Sequence, residues 1–291
     1  MENKQTSLPV LILIALSLIW GTSFILMKKG LVALAPGEVA ALRVTVAGLI
    51  LLPVAMTRIN KIKPLHVSKL FISGLVGVFI PAFLFTTAQV HIDSSVAGIL
   101  NTLSPLGTML MGAAFFNQVF RRQAVVGILV GMVGTILLMV SRSGDVAGVN
   151  WYGALIIIAC VLYGFNLNFI KFNIADIGSI TITSISIVLI APLGAVYLFG
   201  FTEFVHKLDT VPGAWKAASY VALLALMSTA LAVALFNKLV KLTTPLFAST
   251  VTYIIPIVSV AWGVLDGERL SILHFIGMAG ILGGVYLANR K

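Results

Sequence analysis

Charge is what this sequence has least of. Only 10% of its 291 residues are Asp, Glu, Lys or Arg, against roughly a quarter in an average soluble domain, so a soluble surface could not be covered. Acids are scarcest, nine against nineteen Lys and Arg, and no apolar run has one in its interior. Cysteine occurs once, at Cys160, which excludes an internal disulfide and leaves that residue as small filling inside a helix. HExxH, GxSxG and G-x-x-x-x-G-K-[ST] are all absent. The usual marks of a zinc hydrolase, a serine hydrolase and a nucleotide-driven pump are therefore missing. The four histidines fall in loops or at the edges of apolar runs without ligand spacing, so neither a metal nor a cofactor is expected.

What is abundant is apolar sequence: 59% hydrophobic, mean hydropathy +1.10. Runs of about 20 apolar residues are long enough to cross a hydrocarbon core of about 30 Å. Ten such runs are read at roughly 9–27, 38–56, 70–90, 94–115, 122–140, 151–172, 179–200, 216–238, 246–265 and 272–289. The third and fourth are separated by almost nothing and require a tight turn. No small-residue cleavage pattern follows the first run, which is expected to be retained. The fold class is an all-α integral membrane protein with ten transmembrane helices.

An even number of spans puts both termini on one side. Twelve of the nineteen basic residues fall on that side, six fall opposite, and Arg43 lies within a span. This asymmetry predicts cytoplasmic termini. The net charge of +10 is thus a topology signal, and the partners expected are a lipid bilayer and a small-molecule solute, not nucleic acid.

The sequence also repeats itself. Slid by 151 residues, AGILNTLSPLGTMLMGAAFFNQV (from Ala97) falls on ASTVTYIIPIVSVAWGVLDGERL (from Ala248), with Pro105 on Pro256 and Gly112 on Gly263. Slid by 143, WGTSFILMK (from Trp20) falls on YGFNLNFIK (from Tyr163). About eight residues are inserted in the second half, near 201–215. The halves are 1–141 and 142–291, five spans each. An odd number of spans inverts the second copy in the membrane, a plan that places a solute site at the midplane on broken helices. The stretch LNTLSPL fits such a site. Pro105 and Pro256 are helix breakers, and Asn101, Ser104, Thr252 and Tyr253 beside them are suited to a wet cavity rather than to lipid. Ser and Thr can alternatively bond their own backbone.

Other candidates follow from position. Trp20 and Tyr163 are repeat equivalents, each before a glycine, and their wide faces either wall an organic solute or pack the core. Asn166 shares a helix face with Tyr163, while Asn168 points elsewhere and bridges helices. Arg43 either anchors a carboxylate or snorkels to the interface. Gln89, with Thr86, is a further cavity candidate. Gly127, Gly131 and Gly134, echoed by Gly277, Gly280, Gly283 and Gly284, permit close helix approach.

WGTSF in the first span, P..VAALR in the second, the proline-centred fourth and ninth spans, and GERL before a glycine-spaced last helix resemble the EamA-type members of the drug/metabolite transporter superfamily. The resemblance covers the whole chain. It implies ten helices around a central cavity lined by the third, fourth, eighth and ninth spans with the first and sixth, the fifth and tenth standing outside as supports. It also implies export of small metabolites such as amino acids from a bacterial inner membrane, by a monomer or weak homodimer. Drug-like or sugar-like solutes, or an integral-membrane enzyme, are the alternatives. The family's acid after the fourth span of each half is Glu268 in the second, but the alignment puts Asn117 in the first.

Overall fold

The structure, a computed structural model, describes residues 7–118, 122–140, 150–242 and 251–289. Those residues build helices and no strand. The first four helices are α1 (Ser7–Gly30), α2 (Pro36–Met56), α3 (Pro64–Gln89) and α4 (Ser94–Phe116). They are followed by α5 (Arg122–Val140), α6 (Gly153–Asn173) and α7 (Ser179–Gly200). The last are α8 (Ala214–Leu224, Ala225–Leu231 and Ala232–Leu242 in succession), α9 (Val251–Leu265) and α10 (Ile272–Asn289). By length and composition seven can cross a membrane, namely α1–α4 and α6–α8, and α5, α9 and α10 contain shorter apolar stretches. A short helix, Phe204–Thr210, occupies the insertion before α8.

Local sequence sets the ends. Pro36 opens α2, where a missing N–H costs nothing, and the Glu38 carboxylate accepts the Ala35 N–H at 2.7 Å. Pro64 opens α3 in the same way, with His66 Nδ1 accepting the Lys63 N–H at 3.2 Å. That cap starts α3 six residues before the apolar run predicts, because its first turns (PLHVSK) are helical but amphipathic. Only Val90–Asp93 separate α3 from α4. Asn117 closes α4 in the left-handed region at φ 53°, which Asn tolerates better than most residues.

Two helices change pitch at matching places. Leu75–Phe79 of α3 and Ala225–Leu231 of α8 are π-helical, a geometry common at functional sites. Gly77 and Ser228, 151 residues apart, sit in these segments.

The halves meet through contacts that recur with partners exchanged. Helix α1 packs on α9 and α8, while α6 packs on α4 and α3; α2 lies against α7, and α5 against α10. A Cβ at Gly21 would overlap Val258, and one at Gly164 would overlap the Gly107 backbone. These are the same contact by repeat position, since 143 residues separate the two glycines and 151 separate their partners. Likewise a Cβ at Gly134 would stand 2.7 Å from the Gly277 carbonyl oxygen, and one at Gly284 2.5 Å from that of Gly127. The glycine spacing therefore serves the α5–α10 seam, where backbones approach as they do at small-residue interfaces. The largest apolar core, with Phe24, Phe85, Leu100, Ile156 and Leu224, joins α1, α3, α4, α6 and α8.

Candidate substrate site

The polar groups of α8's π segment organise one end of the candidate site. Trp20 Nε1 donates to the Ser228 carbonyl oxygen at 3.1 Å, and the Ser23 and Ser228 hydroxyls are 2.6 Å apart. Arg43 Nε donates to Thr229 Oγ1 at 2.8 Å. Arg43 therefore points into the bundle instead of snorkelling, and it lies within electrostatic reach of the Tyr163 hydroxyl. Tyr163 stacks on Phe85 with centroids 6.1 Å apart.

The break in α4 completes this neighbourhood. Asn101–Leu103 form a 3₁₀ turn, and Pro105 stands at the start of the helix that follows. Ser104 Oγ donates to the Asn101 carbonyl oxygen at 2.7 Å, and Thr102 Oγ1 to that of Ile99 at 2.6 Å. The hydroxyls around the proline thus satisfy backbone that the tighter turn leaves without i+4 partners. Buried Cys160 of α6 places Sγ 3.7 Å from the Leu100 carbonyl oxygen. Trp20, Arg43, Asn101, Ser104 and Tyr163 all keep accessible surface although they sit among the helices.

Not every expected residue joins them. Gln89 is buried on α1, its Nε2 donating to the Phe24 carbonyl oxygen at 3.2 Å, and Thr86 bonds its own helix. Asn166 accepts from Ser73 Oγ at 2.7 Å and packs its amide against Gly77. Asn168 bridges helices as expected, donating to the Thr108 carbonyl oxygen at 2.9 Å. Thr252 is half-buried on α9. The side chain of Tyr253 lies outside the described residues. The interruption expected at Pro256 is absent among them: α9 runs through it from Val251 to Leu265. One missing N–H bends or weakens a helix without necessarily ending it. Ser228 and Thr229 were the residues sequence reasoning missed, although a polar pair inside YVALLALMSTALAVALF is the same signal as LNTLSPL.

The two ends of the bundle are closed by different chemistry. At one, Glu268 caps the start of α4: Oε1 accepts from Lys28 Nζ at 2.8 Å and Ser94 Oγ at 2.6 Å, and Oε2 accepts from Ser95 Oγ at 2.6 Å. The Ser94 and Ser95 backbone N–H groups add bonds of 3.0 and 3.1 Å. Burial alone would push this carboxyl up, but the donors from Lys28, Ser94 and Ser95 outweigh it and hold it at about 2. Asp266 takes Lys28 at 2.7 Å and also Lys29, and these hydrogen bonds lower its pKa. A cavity of about 410 Å³ opens here, lined by Lys28, Asp93, Glu268, Arg269 and His274 among others. At the other end Gln118 Nε2 donates to Asn168 Oδ1 at 3.0 Å.

That pair corrects the repeat register. A Cβ at Gly112 would meet Gln118, and one at its repeat partner Gly263 would meet Glu268. The N–H groups of Gln118 and Glu268 bond the carbonyl oxygens of Gly112 and Gly263 in turn. Gln118, not Asn117, stands where Glu268 stands. The first half has one more residue in this turn, which an ungapped alignment cannot show.

The sequence profile described as the EamA-like transporter family matches residues 7–140 and again 150–290. An "Uncharacterized transporter" of Archaeoglobus fulgidus is 25% identical over 273 residues, covering 94% of this chain and 95% of its own. The "Uncharacterized inner membrane transporter YedA" of Escherichia coli K12 is 25% identical over 284 residues, 95% of this chain and 89% of its own. A solved crystal structure shares the fold at a TM-score of 0.65 and 22% identity, covering 96% of each chain.

Proposed function

Because the chain belongs to the EamA-like transporter family, and is with it a multi-pass membrane transporter, we propose that it exports small amino-acid-like metabolites by alternating access between two inverted five-helix halves. Both termini are then cytoplasmic, and the inner membrane named for the Escherichia coli relative is the place for it. The carrying observation is the exchange of contacts between halves, Gly21 against Val258 and Gly164 against Gly107. Pairwise equal seams let one arrangement convert to its mirror at little cost, as alternating access around a midplane site requires.

The chemistry of the interior supports the solute class. Aromatic faces at Trp20 and Tyr163, neutral polar groups at Asn101 and Ser104, and one cation suit a neutral or zwitterionic solute with an apolar side chain. A bare cation would find no counter-charge there and would lose its hydration uncompensated. Radiolabelled amino-acid uptake by proteoliposomes is the test, with strong loss expected in Tyr163→Ala and Asn101→Ala. Purified protein that moves quaternary ammonium compounds and no amino acid would sink the reading.

A further inference from the structure

Arg43 is a cation that forms no ion pair among the described residues. Its guanidinium stays protonated at any working pH. Among the described residues no carboxylate lies within ion-pair distance of it. Glu38 is held by Lys207, Asp266 and Glu268 by the lysines of α1, and Asp176 lies beside His66. Thr229 takes the Nε–H, and the remaining donors of the fork have no acceptor among the described residues. The group sits among the helices, bonded to Thr229 of α8, yet it keeps accessible surface. A buried charge without a counter-charge is among the costliest arrangements a fold can keep.

We propose that Arg43 anchors the carboxylate of the transported solute, and that Thr229 is the positioning residue that orients the fork. This deepens the transporter reading and rests on it. With Nε committed to Thr229, the free edge of the guanidinium is the Nη1–Nη2 pair, which accepts a carboxylate through two parallel N–H···O bonds. That edge shares its surroundings with Tyr163, whose ring and Phe85 offer an apolar wall for the side chain of the solute.

Repeat symmetry sharpens the point. The position 143 residues after Arg43 is Ser186, buried and with no hydrogen-bond partner for its hydroxyl oxygen. Gly48 against Ala191, also 143 apart, shows that α2 and α7 meet in this register. The cation is therefore present in one half and replaced in the other. A solute bound at it keeps one orientation, carboxylate toward α2 and α8, through both states of the cycle.

Acid and amide pairs decide it. Transport of L-phenylalanine and L-phenylalaninamide is measured in proteoliposomes at pH about 9, where the α-amino group of the amide is largely uncharged. Thermal stabilisation of detergent-purified protein by 3-phenylpropionate and 3-phenylpropionamide reads binding without transport. In Arg43→Gln the affinity for the acids should fall by about 10- to 100-fold, the effect of losing a hydrogen-bonded charge pair, while the amides change by less than about 3-fold. Arg43→Lys keeps the charge as a point donor and should recover part of the acid affinity. Thr229→Val should weaken the acids by about 3- to 10-fold through the lost orienting bond and leave the amides alone. Equal effects on acids and amides, or stabilisation of Arg43→Gln by 3-phenylpropionate as strong as that of wild type, overturn the assignment. Wild type that moves neither phenylalanine nor its amide sinks the transporter reading for this solute, and the stabilisation arm still decides Arg43.

Discussion

Replacing Glu268 with Gln should loosen the end of the bundle at which α1 meets α4. The carboxylate collects five donors from Lys28, Ser94 and Ser95, at 2.6 to 3.1 Å. They hold its pKa at about 2, against 4.5 for an ordinary glutamate. At about 1.4 kcal/mol per unit, that preference for the charged form is on the order of 3 kcal/mol. Gln keeps one oxygen and turns the other into a donor, which faces the Ser94 or Ser95 N–H and removes the pairing with Lys28. A loss of about 2–3 kcal/mol follows, or opening roughly 30- to 150-fold more often. The reporter is a single cysteine at Asn101, beneath this closure, in a Cys160→Ala background. Its modification by a membrane-impermeant maleimide, added from the side where α1 ends, is timed in intact vesicles. The pH dependence carries a sign. A carboxyl whose pKa is depressed by the closed form stabilises that form fully above about 4.5 and loses this contribution as pH falls toward about 2. Divided by the rate of the same maleimide with a free thiol at each pH, which removes the titration of the cysteine itself, wild-type labelling should therefore be flat from about pH 8 to pH 5 and rise only below. Unchanged labelling in Glu268→Gln, or a normalised wild-type rate that titrates between about pH 6 and 8, would refute the reasoning.

Gly164→Ala should lower the thermal unfolding midpoint in detergent, because its Cβ would overlap the Gly107 backbone, which cannot step aside; a cost of about 1–3 kcal/mol is usual for overpacking. Gly200→Ala, with nothing within 4 Å, is the control and should leave the midpoint unchanged. Pro105→Ala should depress transport while the yield of folded protein in the membrane stays at the wild-type level, and equal loss of both would assign the proline to stability alone. With Cys160 replaced, single cysteines at Asn60 or Val67 should react only with permeant reagents and one at Thr210 with impermeant ones, and the reverse pattern would invert the assigned orientation.

The all-helical class and the order of the long helices among the described residues were legible in the amino-acid sequence, because the hydropathy of a span and the prolines and glycines at its ends are local properties. The bare glycine faces of α5 and α10 were legible too, since a glycine every three or four residues leaves one face of a helix bare whatever packs there; that the two faces meet each other came from the structure. Three further features needed the tertiary structure. Arg43 had two equal readings, and its partner Thr229 stands 186 residues away, beyond any local pattern. Asn166 and Gln89 looked like cavity residues, but the rotation of α6 and α3 commits them to Ser73 and to the Phe24 carbonyl oxygen. The match of Gln118 to Glu268 emerged only from the turns around Gly112 and Gly263, because one extra residue shifts an alignment without shifting the contact. Composition decides that a helix is buried in a membrane. Which of its faces meets which neighbour depends on how the helices rotate against one another, and that is settled by packing between residues far apart in the chain.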